Sequence, residues 1–253
     1  MRTNMWLALA LAAAGCGKKS SSDAAKSPPE FAAWTQTDAA KAWEGAWVTE
    51  LRLYSAKKTT FSSNDVGALE IKDGKATAWG GEPQQTDQAL AMSFPSPCTI
   101  QFDEPITEGS MKGGTSYISK MFVVENGALR VADGMSGAAG YRKGKTAFVC
   151  ASTSKAYLAN DAGKCAVWKQ EFRDWRAWPE VECVWSQKDG KDTLTIGKDD
   201  YVLVADGDVL KDEDFRKGVE KPSHVRAKDF ADAKAQVTAR SAADSSVLSK
   251  PAN

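Results

Sequence analysis

The stretch MFVVENGALRVADG, residues 121–134, decides the fold that the sequence predicts. Two turn signals, Asn126-Gly127 and Asp133-Gly134, flank a short run rich in β-formers. Both central residues of a type I′ turn need positive φ, and Asn-Gly or Asp-Gly pairs adopt it at low cost. The stretch therefore predicts antiparallel strands that are joined by tight hairpins.

The same signal recurs along the chain between Gly45 and about Asp214. Further pairs occur at Asp73-Gly74, Asp189-Gly190 and Asp206-Gly207. A parallel sheet would require crossover helices of a dozen residues, and this region has no convincing one. We predict a mainly β fold, an antiparallel meander of about nine or ten strands that forms a sandwich or a barrel.

Helices are predicted only at the two ends of this β region. Residues 28–43 read PPEFAAWTQTDAAKAW, and proline suits the first turn of a helix, so a helix interrupted near 35–37 is expected. Residues 226–240 place apolar residues at helical spacing, which predicts a short surface helix. The side chains that these helices are expected to bury are Phe31, Trp34, Trp43, Phe230, Ala233 and Val237.

The N-terminus has the order of an export signal. Residues 6–14 form an apolar run after Arg2, and small residues follow. A membrane-spanning helix needs about 20 apolar residues, so this run is too short to span a bilayer. Residues 17–27, GKKSSSDAAKS, have the composition of a flexible tether.

The cysteine that ends the apolar run carries a family resemblance. Ala13-Ala14-Gly15-Cys16 resembles the lipobox of bacterial lipoproteins, in which the thiol receives diacylglycerol and the signal is cut before the cysteine. The family usually has Leu at the position of Ala13, so plain cleavage after Ala14 is the alternative. The resemblance implies a lipid anchor at Cys16 in the envelope of a diderm bacterium. Gly17 implies the outer membrane, with its periplasmic or surface face left open.

The expected organisation has four parts. They are a signal peptide (1–15), a lipidated tether (16–27), a single β domain with its preceding helix (28–220) and a C-terminal helix with a disordered tail (221–253). Lys and Arg together number 33, as do Asp and Glu. This balance gives no basic field for nucleic acid, so nucleic acid is not an expected partner.

Four cysteines remain if Cys16 carries lipid, and four can pair in an oxidising compartment. A hairpin centred near Asp174 would place Cys165 opposite Cys183. This favours the pairs Cys165–Cys183 and Cys98–Cys150. The pairs Cys150–Cys165 and Cys98–Cys183 come next, and three connectivities are possible in all.

The stretch 165–185, CAVWKQEFRDWRAWPEVECVW, is rich in tryptophan. Of these tryptophans, Trp175 and Trp178, beside Arg173 and Arg176 at the hairpin tip, are the ones most expected to be exposed, where they could contact a ligand or partner. The alternative is that the tryptophans cap the end of a barrel and support the disulfide.

A second resemblance lies at the start of the β region. Trp43-Glu44-Gly45-Ala46-Trp47 resembles the aromatic-x-Gly-x-Trp signature that opens the first strand of lipocalins. In that family the glycine permits a tight turn into the strand and the tryptophan closes the base of the barrel. The resemblance implies a barrel-base motif at Trp43, Gly45 and Trp47, and it favours a lipocalin-like barrel over a sandwich. The Asn-Phe-Asp lead-in of the second lipocalin motif is missing before Asp200-Tyr201.

The sequence supports little chemistry. No GxSxG elbow or phosphate-binding glycine loop occurs, and His224 is the only histidine. We predict no catalytic residue, metal or cofactor. The expected function is that of a membrane-anchored envelope lipoprotein that binds a small apolar ligand without catalysis. The alternatives are a structural or assembly accessory that binds another envelope protein through the tryptophan-rich tip and, third, a hydrolase.

Overall fold

The computed structural model describes residues 27–50, 66–80, 87–106, 110–132, 137–171, 174–220 and 224–248. The predicted signal peptide, Cys16 and most of the predicted tether therefore lie outside the described residues. Within them the chain forms 17 strands in two curled antiparallel sheets. The mainly β, antiparallel prediction is confirmed. The strands outnumber the predicted nine or ten because several span only three to five residues, too few to give a clear periodic signal.

The first sheet has eight strands, and its last member comes from near the C-terminus. The order is β17-β1-β2-β3-β4-β5-β6-β7, so a meander is extended at one edge by a late strand. The sequence predicts only a helix and a tail after residue 220, so β17 was not expected. The bounds are β1 Gly45–Glu50, β2 Val66–Lys72, β3 Lys75–Gly80, β4 Asp87–Ser96, β5 Thr99–Pro105, β6 Thr115–Glu125, β7 Ala128–Val131 and β17 His224–Ala227.

The second sheet has nine strands in the order β12-β11-β10-β9-β8-β16-β15-β14-β13. It consists of two meanders that meet where β16 pairs with β8. The bounds are β8 Ala139–Lys143, β9 Thr146–Ser152, β10 Lys155–Ala159, β11 Cys165–Glu171, β12 Asp174–Ala177, β13 Cys183–Lys188, β14 Lys191–Ile196, β15 Asp199–Asp206 and β16 Val209–Lys211.

The helices are few. A 3₁₀ helix spans Pro29–Trp34 and α1 spans Ala39–Trp43, so the predicted interruption between them is confirmed. The helices α2, Glu213–Glu220, and α3, Phe230–Leu248, follow the second sheet and β17. Arg226, predicted to begin the last helix, instead lies in β17. The core side of α3 packs Ala233 and Val237 against the outer face of the first sheet.

The hairpin turns have the chemistry that the sequence predicts. Asp73, Asn126 and Asp189 have φ values of 51°, 50° and 52°, and the glycine after each also has positive φ. At Asp206-Gly207 the turn begins one residue later, because Asp206 still belongs to β15. Asp133-Gly134 lies outside the described residues.

The second sheet curls into a nearly closed barrel. A bridge between Lys164 and Val184 joins its two ends, and the Trp185 amide donates to the Gly163 carbonyl at 2.9 Å. The Cys165–Cys183 disulfide lies at the same seam, with a Cα–Cα distance of 5.3 Å. This cysteine pairing is confirmed. Cys183 does not lie opposite Cys165 in a hairpin, because β11 pairs with β12 and Cys183 lies on β13 at the other end of the sheet order.

A second disulfide, Cys98–Cys150, links the two sheets and confirms the other favoured pair. Both cysteines belong to a core shared between the sheets, which also buries Phe31 of the 3₁₀ helix. The Val124 amide of β6 donates to the hydroxyl of Tyr141 on β8 at 3.0 Å. Burial raises the pKa of Tyr141 to about 12, so this hydroxyl stays protonated.

Side chains fill the interiors of both sheets. In the barrel of the second sheet the fully buried interior residues include Leu194 and Leu203, with Tyr157 and Trp185 beside them. Inside the first sheet Trp43 packs against Phe102 and Phe122.

Candidate functional site

A cavity of about 660 Å³ lies at the open seam of the first sheet. Strands β7 and β17 are the two ends of the sheet order, and in the described residues they do not pair with each other. We call this space, between α1, the β6–β7 hairpin and β17, the seam cavity. Its lining residues are Asp38, Lys41, Ala42, Trp47, Gly127, Ala128, Leu129, His224 and Arg226.

The wall of the seam cavity is built on the predicted barrel-base motif. The Arg226 guanidinium carbon lies 4.3 Å from the centroid of the Trp47 ring, which is a cation–π stack. The same guanidinium donates to the carbonyls of Glu44 at 3.0 Å and Ala42 at 3.3 Å. Arg226 thereby joins the end of α1 to β1 and β17.

Gly45 has to be a glycine in this arrangement. Its φ is +123°, a conformation that side chains disfavour. A Cβ at this position would also lie only 2.7 Å from the Arg226 Nη1 atom. Because glycine has no side chain, the Arg226 guanidinium can reach the backbone carbonyls at the end of α1.

Trp43 closes the inner side of the site. Its ring is fully buried and lies 6.0 Å from Trp47 and 5.6 Å from His224, measured between centroids. The Trp47 indole N–H donates to the Trp43 carbonyl at 2.9 Å. Trp43, Gly45 and Trp47 thus form one unit beneath the seam cavity.

His224 is a neutral member of the lining. The Thr49 hydroxyl lies 2.7 Å from its Nε2 atom, across the β1–β17 pair. Burial, together with the nearby positive charge of Lys120, lowers the pKa of His224 to about 3. A general acid or base works best with a pKa near the working pH, so this imidazole is poorly suited to proton transfer at neutral pH.

The predicted tryptophan tip is not an exposed patch. Trp175 is only 7% exposed and makes an edge-to-face contact with Phe31 at 5.2 Å. The prediction of an exposed Trp175 is wrong because the N-terminal 3₁₀ helix packs over β12. Trp178 is half-buried, with the Lys169 ammonium 5.0 Å from its ring centroid.

The two arginines of that predicted patch have different outcomes. Arg176 is exposed and pairs with Glu171 at 3.6 Å. Arg173 lies outside the described residues. None of the described members of the tip lines the seam cavity.

A second cavity, of about 230 Å³, lies beside the 3₁₀ helix. Phe31, Phe94 and Pro97 line it together with small and hydroxyl-bearing residues, and its described lining includes no charged side chain. Ser27 lies at this cavity and donates its hydroxyl hydrogen bond to the Pro95 carbonyl at 2.9 Å. It is smaller and chemically plainer than the seam cavity.

Features of catalytic or metal sites are scarce in the described part of the chain. No group of three or more His, Cys, Asp or Glu side chains there is arranged to hold a metal ion. Burial raises the pKa of the Asp212 carboxyl, but its oxygens accept the Phe215 and Ala138 amides, each at 2.7 Å. Asp212 therefore caps the start of α2. None of the described helices is long and apolar enough to cross a membrane.

Comparison with known proteins adds no relative. No family model, curated protein or solved structure matches the chain. The site is therefore interpreted from its own geometry.

The aromatic-x-Gly-x-Trp motif marked Trp47 as part of a barrel base and assigned it no ligand. No sequence pattern marked Lys41, Leu129 or Arg226 as site residues. Arg226 meets Trp47 only through the pairing of β17 with β1, and β17 is a strand of four residues. The available signal was the alternation in His224-Val225-Arg226-Ala227, which is too short to separate a strand from a helix start.

Proposed function

We propose that this chain is a lipid-anchored envelope lipoprotein whose β domain binds a small molecule without catalysis. The observation that carries the proposal is the seam cavity. Its volume of about 660 Å³ lies in the range of small-molecule sites, about 300–1,000 Å³. Its lining combines an aromatic wall with a few converging polar groups, which is the usual composition of such sites.

We place the ligand at the seam cavity. Within the described residues, buried side chains pack against one another inside both sheets, whereas the seam cavity is a defined space. The seam cavity is bounded by the apolar side chains of Trp47 and Leu129 and also by Lys41 and Arg226. This lining suits a molecule with both apolar and polar parts.

Two observations support the proposed location in the cell envelope. The Ala13-Ala14-Gly15-Cys16 motif provides a lipidation site ahead of a flexible tether. Two disulfides suit an oxidising compartment, where such bonds persist. Two signals of lipidation, thioether-linked diacylglycerol and an acylated amine, would hold the chain firmly.

Binding without catalysis is favoured over the other two functions. The accessory function depended on an exposed tryptophan tip, and Trp175 is buried against Phe31. A hydrolase that used His224 as its general base would be inefficient, because a pKa of about 3 makes this imidazole a weak base at neutral pH.

Blocking the seam cavity tests the proposed site. Ala128 is exposed at the cavity edge, so Ala128→Trp should fill the opening with little effect on the core. Protein purified from its native envelope should yield a bound small molecule by organic extraction and mass spectrometry, and Ala128→Trp should lose most of it.

The matched control is Ala166→Trp, which adds the same side chain at an exposed position on β11 of the second sheet. It should retain the bound molecule. If Ala128→Trp folds normally and carries the same molecule in the same amount, the seam cavity is not the binding site.

A further inference from the structure

We propose that the seam cavity selects an anionic small molecule. Its carboxylate, sulfonate or phosphate group would lie between Lys41 and Arg226, and its apolar body would lie against Trp47 and Leu129. This inference rests on the proposed binding function and specifies the class of ligand.

The charges of the lining favour an anion. Two cations, Lys41 and Arg226, face one carboxylate, Asp38, and His224 adds no charge at neutral pH. Neither Lys41 nor Arg226 takes part in an ion pair within the described residues. An incoming anion would therefore meet two cations that no carboxylate of the described chain already occupies.

Arg226 is already fixed in position for contact with an anion. The Trp47 stack and the two carbonyl hydrogen bonds fix the plane of its guanidinium. A guanidinium has five N–H donors, so the bonds to Ala42 and Glu44 leave donors for a ligand. A group that is fixed before binding loses little conformational freedom when the ligand arrives.

The apolar part of the lining fixes the rest of the ligand. Trp47 and Leu129 line the same cavity as the two cations. Leu129 also packs against the interior core of the first sheet, so this wall is firmly placed. A flat or short apolar body joined to one anionic group matches this combination.

Two matched probes test the charge requirement directly. Naphthalene-2-sulfonate is anionic, and naphthalene-2-sulfonamide has nearly the same shape but is neutral. Calorimetric titration of the full lipidated chain in lipid nanodiscs, with empty nanodiscs subtracted, gives the dissociation constant of each. We expect the sulfonate to bind at least about tenfold more tightly, because charge-assisted hydrogen bonds are about twice as strong as neutral ones.

Two substitutions locate the anion. Lys41→Gln should weaken sulfonate binding about three- to fivefold, the upper end for an exposed ion pair, and leave the sulfonamide unchanged. Arg226→Lys keeps the charge but loses the planar fork, so it should also weaken the sulfonate selectively. Lys188→Gln, at an exposed position on β13, is the control and should leave both constants unchanged.

The outcomes separate this inference from the proposed function. If both probes bind equally, or if neither binds, the proposal of an anionic ligand is wrong. Extraction of a native molecule from wild type but not from Ala128→Trp would still support the seam cavity as the binding site. Sulfonate binding that survives both Lys41→Gln and Arg226→Lys also overturns the inference. Sulfonate binding that survives Ala128→Trp places the anion elsewhere and overturns the inference as well.

Discussion

At the scale of single residues, His224 couples the site to stability. It is the only histidine of the chain, and the fold keeps it neutral because its ring is buried near Lys120. In the unfolded chain a histidine takes up a proton below about pH 6.5. In the folded chain this happens only near pH 3. The unfolded state therefore binds more protons in this window, so acid favours unfolding there.

We predict that the free energy of unfolding falls as pH drops from about 6.5 towards 3, with His224 contributing up to about 1.4 kcal/mol per pH unit. Urea unfolding at a series of pH values measures this slope. Carboxyl groups titrate in the lower part of the window in any variant, so the comparison with His224→Gln isolates the histidine.

Gln at position 224 stays uncharged at every pH and can still bond to the Thr49 hydroxyl. His224→Gln should therefore show a shallower slope, most clearly between pH 6 and 5. An unchanged slope in this variant would mean that the folded imidazole titrates normally.

Single residues also show what a sequence can reveal about a site. Gly45 and Trp47 were predictable because their roles are set by neighbours in the chain: a strained turn and the strand that follows it. Arg226 was not predictable, because its partner Trp47 is far away in sequence and nothing local marks it as a stacking residue. The half of the site that depends on long-range strand pairing could be seen only in the fold.

At the scale of elements, the two disulfides stabilise different parts of the fold. Cys165–Cys183 joins β11 to β13 at the seam of the second sheet, whereas Cys98–Cys150 joins the two sheets. Their sequence separations are 18 and 52 residues. Closing a longer loop restricts the unfolded chain more, so the inter-sheet bond should contribute more to stability.

Replacing each pair with alanine tests these separate contributions. We predict a loss of about 4 kcal/mol for the Cys98→Ala, Cys150→Ala double variant and about 3 kcal/mol for the Cys165→Ala, Cys183→Ala double variant. Each double variant is the control for the other. Only the second should accelerate hydrogen exchange at the Trp185 amide, which bonds across the seam to Gly163.

Equal exchange rates at Trp185 in the two variants would contradict this division. Wild-type protein in denaturant without reductant should show no reactive thiol at any of these four cysteines. A reactive thiol there would refute the two bonds.

Some structural elements are easier to predict from the sequence than others. The hairpins at Asp73, Asn126 and Asp189 were predictable because type I′ turns need particular residues. The burial of Trp175 was not, because it depends on Phe31 packing across from a distant element. An amphipathic aromatic residue near a turn suits an exposed tip and a covered one equally well.

At the scale of the whole molecule, the two sheets act as one body because contacts cross between them at several points. Besides the disulfide and the Tyr141 hydroxyl, Lys211 of β16 pairs with Glu125 of β6. The hydrogen bond from Lys211 lowers the pKa of Glu125, so the pair persists through the neutral range. The N-terminal 3₁₀ helix, which follows the tether, packs into the same shared core through Phe31 and Trp34.

The proposed attachment of this body to a membrane can be tested on the whole chain. We predict that Cys16→Ala abolishes labelling by radioactive palmitate and releases the protein from the membrane fraction, because the acyl chains provide the anchor. Cys98→Ala with Cys150→Ala, which removes two cysteines but leaves the lipobox intact, is the control and should still be labelled. Persistent labelling of Cys16→Ala would show that the lipobox interpretation is wrong.

The return of β17 to pair with β1 has a consequence in time. Thr49 and His224, which face each other across that pair, are 175 residues apart, and the entire second sheet lies between them in the chain. Because β1 precedes β17 in the chain, one edge of β1 stays unpaired until β17 is available. Folding of the second sheet shortens the effective loop and lowers the entropy cost of this pairing. The seam cavity needs Arg226 on Trp47, so it forms only when β17 pairs with β1.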